Sequence, residues 1–212
     1  KSAKAYQELW TDEGSPLMVY GQKLEEKLRT KVQDKADVYL AMRYQNPSMQ
    51  KVFDEMKNKG YEKLTVIPLY PQYATSTTET IYVEMEKLMR SWSKLPEIKF
   101  IDQFYDHPLF IETIAKRAEK YNFDDYDHII FSYHGLPKRQ LNKLYRDATT
   151  CDDHDCSKEI NDTNQKCYLA TCYATTRLLV ERLGLEEEQY SVGFQSRLGR
   201  DPWLMPYTDH VI

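Results

Sequence analysis

The 212-residue chain carries 29 basic and 33 acidic side chains, a formal net charge of −4 and 41 % hydrophobic residues, enough apolar material for one large domain or two small ones. The charges are interspersed and form no basic stripe, which excludes nucleic acid as the expected partner. No apolar run reaches the roughly 20 residues that span a bilayer and no charged start with an apolar stretch marks a secretory signal, so a reducing, cytoplasmic setting is expected.

In chain order, two helical stretches come first, over residues 2–10 and 16–32, meeting at Glu13-Gly14-Ser15-Pro16. They read as outer-layer helices or as a lid. Short apolar runs then alternate with longer stretches of helical period, the pattern of β-α units on a parallel sheet. Strands are predicted over 38–42, 64–67, 98–101, 129–134 and 190–194. Pro47 is predicted at the first position of a helix that presents Val52, Phe53 and Met56 and stops at Gly60. Thr75, Ser76, Thr77 and Thr78 are capping residues ahead of a helix through Ile81, Val83, Met85, Leu88 and Met89. A further helix is predicted over 108–121. The fold class is α/β, and the boundary between two halves, 1–100 and 101–212, is placed around 95–105, near Pro96.

All four cysteines fall within 22 residues: Cys151, Cys156, Cys167 and Cys172, separated by four, ten and four residues. The surrounding polar stretch, 142–166, is poorly suited to pack a core, and a metal held by thiolates would cross-link it. Zinc, a 2Fe-2S cluster, two disulfides and free thiols are all readings of this spacing; disulfides would require an oxidising compartment. Cys167 and Cys172 would project about 140° apart on a regular helix, so a helix through Ala174, Leu178, Leu179 and Leu183 to Gly184 is expected to begin near or after Cys167. His154 is an alternative ligand.

Ile129-Ile130-Phe131 runs into Ser132-Tyr133-His134-Gly135-Leu136-Pro137. Ligands of parallel α/β sheets bind beyond the carboxyl ends of the strands, where a neutral imidazole can accept a proton or bind a divalent metal. His134 is therefore the candidate reacting side chain; its bland alternative is a histidine packed between strand and loop.

Arg43-Tyr44-Gln45-Asn46-Pro47, Pro68-Leu69-Tyr70-Pro71-Gln72-Tyr73 with Ser76-Thr77-Thr78, the His134 motif, Phe194-Gln195-Ser196-Arg197 and Pro202-Trp203-Leu204 resemble the motifs of the ferrochelatase family, in that family's order. The resemblance extends over essentially the whole chain, Ser15-Pro16-Leu17 included. It implies a chelatase fold of two Rossmann-like domains with parallel sheets flanked by helices, and insertion of Fe(II), as substrate, into protoporphyrin IX. By the same resemblance His134 receives pyrrole protons or delivers the metal, Arg43, Tyr44 and Trp203 line the porphyrin pocket, Gln195, Ser196 and Arg197 meet a propionate or the opposite wall, and Ser76 and Thr77 head a helix suited to a carboxylate.

The helices before residue 33 then resemble an apolar pocket lip, which brings peripheral contact with the inner face of a membrane into view. The cysteine segment is similar to the internal four-cysteine insertion of some bacterial relatives, which implies a 2Fe-2S cluster on Cys151, Cys156, Cys167 and Cys172, with structural zinc as the alternative. The family's first strand with its Asn-Leu-Gly turn, and the glutamate segment beyond the tryptophan motif, have no counterpart, so the chain is expected to be part of a longer protein. Two other functions stay open: a non-catalytic porphyrin- or haem-binding iron–sulfur module, and a chelatase for another tetrapyrrole and metal. Nothing in the residues signals an oligomeric state.

Overall fold

The computed structural model describes residues 8–145 and 149–212. Most of the helix predicted over 2–10 lies outside the described residues, as does the 146–148 part of the polar stretch. The chain divides into two compact units, one made of the residues up to Glu62 with Glu84–Pro96, the other of Lys63–Val83 with Glu97–Ile212.

In the first unit, helix α1, Pro16–Val32, starts where expected, with Ser15 extended ahead of it and Pro16 in its first turn. The predicted strand over 38–42 does not form a ladder. Two of its backbone groups bond side chains of α1 instead: Arg29 donates to the Val38 carbonyl at 3.0 Å and Glu25 accepts from the Leu40 amide at 3.3 Å. Only Met42 makes a bridge, to Ser48. Helix α2, Met49–Met56, begins two residues later than predicted, because Ser48 is the residue that caps it, its hydroxyl accepting from the Lys51 amide at 3.2 Å. Met49, Val52, Phe53 and Met56 form its buried face, with Phe53 tilted against Trp92 at 6.0 Å.

The second unit holds two parallel strand pairs. Strand β1, Lys63–Val66, pairs with β2, Glu97–Phe100, in the register Lys63↔Glu97 to Val66↔Phe100. Strand β3, Ile129–His134, pairs with β4, Tyr190–Gln195, from Ile129↔Tyr190 to His134↔Gln195. Helix α3, Thr78–Met89, contributes residues to both units, and helix α4, Pro108–Ala118, is capped by His107, whose Nδ1 accepts from the Leu109 amide at 3.2 Å. The short helix α5, Lys138–Asn142, follows the β3 turn. Helix α6, Tyr168–Leu183, begins directly after Cys167, as the cysteine geometry required, and ends on Gly184 in the left-handed conformation. A short helix α7, Thr208–Val211, ends the chain's described order.

The core beside β3 and β4 is built from Leu136, Leu141, Val192, Phe194 and Leu204 together with all four cysteines. The polar stretch thus packs through its thiols, which behave as small buried hydrophobes, while Asp152, Asp153, Asp155, Glu159 and Asp162 stay outside.

Candidate functional site

His134 is the last residue of β3 and its side chain is exposed at the carboxyl end of the pair, opposite Gln195. The turn behind it is held from two sides. Gly135 donates its amide to the Gln195 carbonyl at 2.7 Å, and the tryptophan motif lies antiparallel to the turn, with Lys138 N–H donating to Pro202 at 2.9 Å and Leu204 N–H to Leu136 at 3.0 Å. The Trp203 ring stands against Gly135, where a Cβ would meet its Cε3 at 3.4 Å. Its buried indole N–H has no hydrogen-bond partner among the described residues. Three motifs separated in sequence therefore meet around one strand tip.

Ser196 continues β4 with a positive φ of 71°, and the Arg197 guanidinium stacks 4.1 Å over Tyr207 with Asp209 at 3.8 Å. Ser76 and Thr77 belong to the same unit, in the turn ahead of α3, where the Thr77 amide and hydroxyl both donate to the Ala74 carbonyl. Tyr73, Thr75, Leu136, Cys167 and Tyr168 line a cavity of about 20 Å³, room for one water and too small for a macrocycle. Arg43 and Tyr44 belong to the first unit: Arg43 lies 4.7 Å over the exposed Tyr44 ring and 3.4 Å from Glu84.

The cysteines form a candidate metal centre. The sulfurs of Cys151, Cys156 and Cys167 lie within 4.8 Å of one another, all buried, with Cys151 and Cys167 3.5 Å apart. Two thiolates on one tetrahedral ion at 2.3 Å would be about 3.8 Å apart, so the pair is spaced for a shared centre. Cys172 is fully buried inside α6 and stands outside the group of three. His154 is engaged elsewhere, stacked on Tyr145 at 4.2 Å with its Nε2 3.0 Å from Thr149 Oγ1.

Mutual hydrogen bonding polarises the group. Contacts from Cys151 and then Cys167, reinforced by Tyr145 and Asn164, pull the Cys156 thiol far below its ordinary value, and the Cys156 contact drives Cys151 far up. The Tyr145 hydroxyl is 3.2 Å from the Cys156 sulfur and the Asn164 amide nitrogen 3.7 Å. Asn164 is itself fully buried, its Oδ1 accepting from the Asn161 amide at 2.8 Å and its Nδ2 donating to the Glu159 carbonyl at 3.0 Å, which ties the loop around the sulfurs. A soft, buried, pre-gathered thiol set of this kind fits a thiolate-bound metal centre.

Tyr145, Asn164 and Tyr168 were not legible as site residues. Each makes a contact that the spacing of ligands does not reveal: Tyr145 and Asn164 to the Cys156 sulfur, and Tyr168, next to Cys167, to the His134 carbonyl.

Comparison with known proteins gives the family. The family model for ferrochelatase matches residues 1–212. Proteins named ferrochelatase from Legionella pneumophila (strain Paris) and Pseudomonas fluorescens (strain SBW25) are 41 % and 39 % identical over 211 residues, covering 100 % and 99 % of this chain and 62 % of each relative. One from Coxiella burnetii (strain Dugway 5J108-111) is 39 % identical over 99 % of the chain and 58 % of its own length. The chain thus spans about three-fifths of the relatives it matches. With the motifs meeting at one strand tip and a family match from the first residue to the last, this α/β chain belongs to the ferrochelatase family.

Proposed function

We propose that the chain carries part of the machinery that inserts Fe(II) into protoporphyrin IX to form protohaem, with His134 as the pyrrole proton acceptor or the residue that delivers the metal. The observation that carries this reading is the exposed imidazole at the tip of β3, held by a turn that the Gln195 and Trp203 motifs brace. Loading a divalent ion into the neutral macrocycle displaces two pyrrole N–H protons, so a base beside the ring is required, and imidazole accepts a proton near neutral pH. Among the described residues the His134 ring makes no hydrogen bond, which leaves both nitrogens for substrate.

In this reading Trp203 flanks the macrocycle, Gln195, Ser196 and Arg197 meet a propionate or the opposite wall, Ser76 and Thr77 supply the start of α3 to a carboxylate, and Arg43 and Tyr44 keep the pocket-lining role that the family resemblance implies. The halves 1–100 and 101–212 are taken as the two Rossmann-like domains. We place the protein in the cytoplasm with peripheral contact at the inner face of the membrane. Leu17, Tyr20, Leu24 and Leu28 support that contact as an exposed apolar stripe along α1, while no described helix is long and apolar enough to cross a bilayer.

We assign the cysteines to a 2Fe-2S cluster, whose chemistry when bound is electron storage and local cross-linking. The compact group of three sulfurs also suits one zinc ion, which is the second reading. An anaerobic visible spectrum separates them: a coloured protein with iron and sulfide supports the cluster, and a colourless one with a single zinc overturns it.

The decisive experiment for the reaction is haem formation from protoporphyrin IX and Fe(II) by the full-length gene product. His134→Ala is expected to abolish it while circular dichroism stays unchanged. Parent-like turnover by that variant would remove His134 from the mechanism.

A further inference from the structure

Cys167 and Tyr168 are consecutive residues with contacts in two directions. Cys167 caps α6, and its sulfur is one of the three gathered thiols. Tyr168, the first residue of α6, donates its hydroxyl to the main-chain carbonyl of His134 across 2.9 Å. The contact joins residues 34 apart in sequence, and it reaches the one carbonyl that belongs to the candidate reacting residue.

The path is short and stiff. A tyrosine ring has two rotatable side-chain bonds, and Tyr168 is anchored at the start of a 16-residue helix whose core face, including Ala170, Thr171 and Cys172, is buried. Leu136, behind the β3 turn, and Cys167 line the same small cavity as Tyr168, so its ring sits between the thiol centre and that turn. The Cys167 sulfur and the His134 carbonyl are thus joined through two consecutive residues and one hydroxyl.

We propose that Tyr168 is a positioning residue that couples the metal state of the thiol centre to the orientation of His134. The inference rests on the reading of the cysteines as metal ligands and of His134 as the reacting group. With metal on Cys167 the first turn of α6 is held, and the hydroxyl pins the His134 carbonyl and so the direction in which the imidazole leaves the strand. Without metal the first turn is released, and the tip of β3 gains freedom.

The test is histidine NMR on the full chain labelled at the imidazole Cε1, with zinc(II) as a diamagnetic probe of the thiol site. The His134 signal is identified by its loss in His134→Gln. In the parent, removing zinc with a chelator is expected to shift that signal. In Tyr168→Phe, zinc still binds in the parent's stoichiometry, but the His134 signal of the loaded protein already sits near the metal-free position and moves at least threefold less when zinc is removed. Cys167→Ser should place the signal at the same position, and it carries the test if Tyr168→Phe does not fold.

A Tyr168→Phe protein with the parent's full zinc-dependent shift, or a Cys167→Ser protein with the signal of the loaded parent, overturns the proposal. A parent that binds zinc while its His134 signal ignores the metal overturns the coupling and leaves the metal reading intact. A parent that takes up neither zinc nor iron overturns the metal reading and the coupling together.

Discussion

The amide of Gly135 donates to the carbonyl oxygen of Gln195 at 2.7 Å, and a methyl group on Gly135 would stand 2.8 Å from that same oxygen. The glycine is thus required by close approach of two backbones, with Trp203 closing the other side at 3.4 Å. Gly135→Ala must push β3 and β4 apart at their tips. It is expected to destabilise the protein by about 1–3 kcal/mol, the usual cost of forcing extra atoms into a packed site. Chemical denaturation would show a lower midpoint at unchanged slope, and a midpoint equal to the parent's would contradict the packing described.

Behind the site, the Tyr133 hydroxyl is 2.8 Å from the Thr176 hydroxyl on α6, and burial pushes the Tyr133 phenol well above its ordinary value. Thr176 in turn donates to the Cys172 carbonyl at 3.2 Å. Thr176→Val keeps the shape and strands the phenol without its partner, at a cost of about 1–3 kcal/mol for a buried polar group left unsatisfied. The double variant with Tyr133→Phe should recover part of that loss. Additive losses in a thermodynamic cycle would show that the two hydroxyls do not interact.

Acid should loosen the contact between α4 and α6. Arg182 holds the Glu112 carboxyl below its ordinary value, first by hydrogen bonding, with ion-pair distances of 2.7 Å to Glu112 and 3.0 Å to Glu119. A carboxylate whose folded value is depressed contributes stability above its unfolded pKa and loses it as pH falls through the folded one. The contribution is therefore full at neutral pH and disappears below the normal carboxylate range. These side chains are partly exposed, so the effect is small and salt-sensitive. Melting curves of the parent and Arg182→Gln should differ at pH 7 and converge at low pH; a constant difference would assign the effect to packing of the Arg182 stem.

Local chemistry made much of this chain readable. Helix α1 starts at Pro16 and α6 starts after Cys167 because the capping and spacing signals there are local and uncontested. Strands β3 and β4 were readable because their runs are short and rich in β-branched and aromatic residues, as in Ile129-Ile130-Phe131, with Gly135 and Pro137 just beyond β3. The segment 38–42 shows the limit: its residues suit a strand, yet Arg29 and Glu25 bond two of its backbone groups, and a strand without a ladder is only an extended loop.

The sequence by itself determined the family, the identity of His134 as the candidate at a strand end, and the clustering of four thiols in one short stretch. These are matters of residue order and local periodicity. Only the tertiary structure decided that three thiols gather while Cys172 lies inside α6, that Trp203 braces the turn at Gly135, and that Tyr168 reaches His134. Such contacts join residues tens of positions apart, and their distances follow from how strands and helices pack, which no spacing along the chain encodes.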